Sequence, residues 1–114
     1  MVHLRNEMNN IKSVWIGTEE KEPILREKTE LNDNSDVIVT FENGDKYVAT
    51  FFTYENIESL RQKNQKTGEC LNGKYFCATD LILIDKLNRK EVLNVINHMI
   101  KEDEFYTYFD KVNG

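Results

Sequence analysis

The sequence predicts an α+β domain: a mostly antiparallel sheet that includes a hairpin at residues 37–52, with two or three helices packed on it. Three observations carry this expectation. Alternating apolar residues flank an Asn43-Gly44 pair. The stretch from Asn88 combines helix-start signals with a helical apolar stripe. Leu81 to Ile84 is apolar at every position, as in a strand covered on both faces or central in a sheet.

The elements follow in chain order. Residues 1–10 carry no periodic signal and read as a loose tail. Ile11 to Ile16 ("IKSVWI") has the β-branched and aromatic residues of a strand. Residues 19–36 are charged and hold the only proline, Pro23; a short helix or strand within a loop fits them. In the hairpin, Asn43-Gly44 tolerates positive φ and marks the turn. Register decides which face each side chain takes. A three-residue loop sets Val37, Val39 and Phe41 on one apolar face with Tyr47, Ala49 and Phe51. It requires a type I turn with Gly44 in the left-handed region.

After the hairpin, Thr53 is placed to cap a helix, and Glu55 suits the positive end of its dipole. Tyr54, Ile57 and Leu60 make one narrow stripe, and the helix should end before Gly68. "KYFCATDLILID" reads as a third strand, with Asp80 at a bend. Asn88 and Glu91 form a capping box for the next helix, with Leu87 stapled to Val92. Val92, Ile96, Met99 and Ile100 form its buried face. "DEFYTYFDKV" fits either a helix capped by Asp103 or a strand; the spacing of Phe105, Phe109 and Val112 favours a short helix.

The 114 residues fit a single domain, 1–114. With 39% hydrophobic and 31% charged residues, the chain has the balance of a soluble fold. A formal net charge of -5 repels phosphate backbones and suits a basic partner, so nucleic acid is not expected. No apolar run approaches the roughly 20 residues that span a bilayer. The N-terminal stretch lacks the apolar core of a signal peptide, so the expected location is cytoplasmic, where thiols stay reduced.

The candidate sites are weak as chemistry. Six residues lie between Cys70 and Cys77, not the spacing of a redox or zinc pair. The imidazoles, His3 and His98, do not complete a four-ligand set. The expected arrangement is Cys77 buried in a strand and Cys70 a free loop thiol. Gly68 and Gly73 do not form a phosphate-binding loop, and Asn72-Gly73 reads as a turn. His98 has no nucleophile elbow near it. "EEK" at Glu19 to Lys21 echoes a nuclease motif but follows no strand. No catalytic residue, cofactor or metal is expected. The aromatics divide between core and surface; Phe52 and Tyr75 should lie under a helix or remain exposed.

One resemblance is carried by a block of residues. Gly44, Tyr47, Ala49, Phe51, Phe52, Thr53, Tyr54, Asn56 and Ile57, followed by Thr67, Gly68, Glu69, Leu71, Gly73 and Tyr75, form a pattern that resembles a group of small bacterial proteins. Proteins of this type are similar to immunity proteins of bacterial toxin systems. The resemblance covers roughly residues 37–110 and brings no catalytic residues with it. It implies a non-catalytic, cytoplasmic protein-binding module that neutralises a toxin by capping it. The acidic residues expected to meet a basic toxin domain are Glu55, Glu58, Glu69, Asp80 and Asp85. The alternative is a homo-oligomeric structural or regulatory domain, a homodimer joined through a sheet edge or an aromatic patch.

Overall fold

A computed structural model describes residues 10–113. The tail expected at 1–10 lies outside the described residues apart from Asn10. The chain forms an α+β sheet in the order β1-β2-β3-β4, with β5 also paired to β3. β1 is Ile11–Ile16, β2 Asn34–Phe41, β3 Lys46–Thr53, β4 Leu81–Ile84 and β5 Asp110–Lys111. Every pairing is antiparallel except that of β3 with β4. Because α2 (Tyr54–Thr67) intervenes between these two strands, the chain crosses over and returns in the same direction.

The hairpin has the register argued from its apolar pattern. Val37 faces Ala49 and Val39 faces Tyr47. The Gly44 N–H donates to the Phe41 carbonyl at 2.9 Å, and Gly44 adopts φ 92°. Between Ile11 and Ser13 the β1–β2 register slips by one residue, so Lys12 is a bulge. That extra residue is what keeps Ile11, Val14 and Ile16 facing the core together.

One face of the sheet is covered. Val37, Val39, Phe41, Ala49, Phe51, Ile82 and Ile84 pack on α4 (Arg89–Lys101) and α5 (Phe105–Tyr108). α4 starts as its capping box requires: the Asn88 side chain accepts from the Glu91 N–H at 2.9 Å, and Leu87 and Val92 are both buried. Phe105 stacks on Phe109 at 4.3 Å and meets Phe41 edge-on at 5.4 Å. Truncating a ring in such a site costs about 3–5 kcal/mol.

Several expectations are corrected. The third strand is only Leu81–Ile84, and it is an edge strand with Leu83 exposed, not a central one. Residues 74–78 before it form no ladder, so Cys77 is exposed; Cys70 is the half-buried thiol. Asp103 does not cap the last helix. It adopts φ 59°, and α5 is a single turn that begins beyond Glu104 without a side-chain cap. The chain then extends into β5, and Val112 is exposed. Residues 19–36 resolve into a 3-10 turn, Gly17–Glu20, and a helix, α1, Pro23–Thr29, which buries no residue.

Between Gly68 and Lys74 lies a left-handed helical turn, α3 (Glu69–Gly73), rather than a simple Asn72-Gly73 turn. Cys70, Leu71 and Asn72 adopt φ of 50°, 51° and 59°, with Gly68 and Gly73 also positive. The Lys74 N–H closes the turn on the Cys70 carbonyl at 3.0 Å. A Cβ on Gly73 would stand 2.6 Å from the Arg61 carbonyl oxygen, so only glycine lets this turn lie against α2.

Candidate functional site

Among the described residues, the second face of the sheet is mostly uncovered. Antiparallel pairing sends alternate side chains there, and a sheet of this kind often leaves one face in water. α2 and the segment after α3 cover only the end near Phe52, whose ring meets Phe76 edge-on at 5.4 Å. The rest is built in rows across the strands. Trp15 on β1 lies opposite Ile38 on β2, which lies opposite Val48 on β3. Trp15 is 43% exposed, a large apolar ring whose edge lies beside Gly17, and Ile38 and Val48 are half-buried.

Polar pairs bound this apolar row on both sides. Towards the hairpin turn, the Lys46 ammonium donates to Thr40 Oγ1 at 3.1 Å. Towards the other end, Thr50 Oγ1 donates to Asp36 Oδ1 at 3.0 Å. An apolar centre with a satisfied polar rim is the anatomy of a protein interface, and tryptophan is the residue most often at its energetic centre.

The neighbouring strand edge is interrupted at two points. β1 carries the Lys12 bulge, and Arg89 Nη2 donates to the Val14 carbonyl at 2.8 Å.

The five acidic residues expected from the sequence do not form one patch. Glu55 and Glu58 lie on α2, and Glu69 follows its end. Glu58 accepts from Arg61 at 2.8 and 3.0 Å, which holds its carboxyl below the usual range, with Gln62 adding a further bond. Glu69 accepts from Thr67 Oγ1 at 2.9 Å and stands 3.8 Å from Lys63. Asp80 and Asp85 sit at opposite ends of β4, roughly 16 Å apart along an extended chain. Asp80 is pushed up by partial burial and by the neighbouring Asp110 carboxyl.

Sequence reasoning missed the open face. Its signal was the alternation in "IKSVWI", but the bulge at Lys12 decides which residues share Trp15's side. The structure also shows an amide cluster where β2 begins and α2 starts. Asn56 donates to Asn32 and Asn34 donates to Asn56, each at 3.0 Å, while Asn32 donates to Ser59 at 2.9 Å. These bonds tie the loop before β2 to α2.

Among the described residues, no three His, Cys, Asp or Glu side chains gather as metal ligands, and no helix is long and apolar enough to cross a membrane. No family model, curated protein or solved structure matches the chain.

Proposed function

We propose that this chain is a non-catalytic protein-binding module of immunity type, which neutralises a basic bacterial toxin domain by capping it with the open face of its sheet. The observation that carries the reading is the Trp15–Ile38–Val48 row, in which an exposed tryptophan leads two half-buried aliphatic residues rimmed by paired polar ones. The formal charge of -5 supports a basic partner, because opposite net charges speed diffusional encounter.

The test is capture from the source organism with the full chain as bait, followed by mass spectrometry. The captured protein is then expressed with and without this chain and scored for toxicity. A basic toxin domain that binds in fixed ratio and is silenced by co-expression is the expected result. Trp15→Ala should weaken that complex by about thirtyfold or more, the loss of a hot-spot anchor. Asp36→Lys should slow association more than it speeds release. Recovery of this chain alone, as a dimer in solution, would overturn the reading in favour of the homo-oligomeric domain. A toxin complex indifferent to Trp15→Ala would remove the open face from it.

A further inference from the structure

The apolar row on the open face does not stop at Val48. Val48 on β3 lies opposite Asp110 on β5, so the row runs Trp15–Ile38–Val48–Asp110 across four strands. Direct partners on antiparallel strands point to the same face, so Asp110 stands on the side that carries Trp15. Neighbouring strands lie roughly 4.8 Å apart, which puts Asp110 about 14 Å from Trp15. Asp110 is exposed, so the row ends in a carboxylate that a partner can reach.

A second carboxylate stands beside it. β5 and β4 share one edge of β3. Asp110 pairs with Val48, and the Asp80 carbonyl, just ahead of β4, accepts from the Thr50 N–H at 2.9 Å. The two strands therefore begin side by side, with Asp80 in the left-handed region at φ 54°. Burial, and after it the Asp110 carboxyl, raise the Asp80 carboxyl above its ordinary range, as expected where two like charges are held close.

The lysines nearest in the ladder are engaged elsewhere. Lys111, next to Asp110, stands 3.6 Å from Asp45, and Lys46 donates to Thr40 at 3.1 Å. Asp36, on the same face, already accepts from Thr50. Among the described residues, no cation forms a salt bridge with Asp80 or Asp110. Like charges side by side on a sheet are unfavourable, and a cation set between them turns the repulsion into attraction.

We infer that the partner covering the open face lays an extended segment along this row, with an apolar side chain against Trp15 and an arginine between Asp110 and Asp80. Arginine suits the place better than lysine, because its planar fork has donors for two carboxylates at once. An extended segment sets a side chain and the fourth one after it on the same face, roughly 13–14 Å apart, which is the length of the row. The inference rests on the open-face reading above and adds the residue type and spacing that the face selects.

The test is an NMR titration of the full chain, at low salt, with two synthetic peptides blocked at both ends: Leu-Thr-Val-Thr-Arg and Leu-Thr-Val-Thr-Gln. The arginine peptide should give saturable shifts at the Trp15 indole N–H and at the amides of Ile38, Val48 and Asp110. The glutamine peptide should bind about threefold to tenfold more weakly, having lost an exposed charged contact to two carboxylates. Asp110→Asn should bring the arginine peptide down to the glutamine level, and Asp80→Asn should give part of that loss. Neither should change the glutamine peptide. Both variants should keep the fold, since Asp110 is exposed and asparagine tolerates the positive φ of residue 80. Equal affinities for the two peptides, or an Asp110→Asn variant that still separates them in full, overturn this inference and leave the open-face reading standing. No saturable shift at Trp15 with either peptide overturns both.

Discussion

Arg89 and Glu19 are 70 positions apart in sequence and form a two-pronged pair, Nε to Oε2 at 2.8 Å and Nη2 to Oε1 at 2.6 Å. The same guanidinium reaches the Val14 carbonyl at 2.8 Å. One side chain at the start of α4 thus ties the 3-10 turn to the outer edge of β1. The hydrogen bonds from Arg89 lower the Glu19 carboxyl below its ordinary value of 4.5, against a smaller opposing effect of burial.

The pair therefore links stability to pH. A carboxyl lowered on folding contributes stability that is present above its unfolded value and lost as pH falls through the folded one. Arg89→Met should cost about 1 kcal/mol at neutral pH, a modest figure because both side chains are partly exposed and screened. That difference from wild type should begin to shrink below about pH 4.5, where the unfolded carboxyl starts to protonate, and should vanish once pH falls through the lower folded value. Urea unfolding at pH 7 and pH 3 checks both; a difference that does not shrink in acid would assign the loss to the Val14 contact.

Two glycines with positive φ should respond differently to alanine. At Gly44 nothing stands within 4 Å of an added Cβ, so Gly44→Ala should cost only the left-handed backbone, about 1–2 kcal/mol. At Gly73 the methyl also meets the Arg61 carbonyl at 2.6 Å. Gly73→Ala should cost clearly more and separate α3 from α2. Equal unfolding midpoints for the two variants would show that the turn yields without penalty.

The residues between Gly68 and Gly73 make the opposite prediction. Leu71 is 68% exposed and sits at φ 51°, so its side chain adds little packing while its backbone is strained. Leu71→Gly should be neutral or stabilising by up to about 1 kcal/mol, although glycine in a helical turn usually destabilises. Thermal unfolding decides: a marked fall in the midpoint would mean that Leu71 has an apolar contact to lose.

Thr53 is fully buried, and its hydroxyl oxygen accepts from the Asn56 N–H at 3.1 Å and the Asp33 N–H at 3.2 Å. Thr53→Val keeps the shape and removes the acceptor for both. The loss should be about 2–4 kcal/mol, and Thr53→Ser should recover most of it. Faster hydrogen exchange at Asp33 and Asn56 would locate the damage; a valine variant as stable as serine would contradict the capping role.

The parts of this fold that could be read from sequence are those fixed by near neighbours. The hairpin register follows from Asn43-Gly44 and the parity of its apolar residues. The start of α4 follows from Asn88, Glu91 and Leu87, all within one turn. What could not be read depends on distant partners. β4 looks central because "LILI" is apolar throughout, yet Leu83 faces outward beside an edge. Nothing in Cys70-Leu71-Asn72 signals three successive left-handed residues, which are held by α2 and closed by Lys74. Trp15's place on the open face depends on a bulge against β2.

The two rings of Phe105 and Phe109 have a consequence for how the molecule is made. They fill the centre of the core from near the chain's last described residues, and β5 follows them onto β3. During synthesis, β1 to β3 emerge with Phe41 and Phe51 bare on one face and Trp15 on the other. The nascent chain is then a ribbon sticky on both sides until Phe105 and Phe109 leave the ribosome. For such a chain, the interval before those rings emerge is the dangerous one, and a chaperone that shields flat apolar sheets would have its task at that moment.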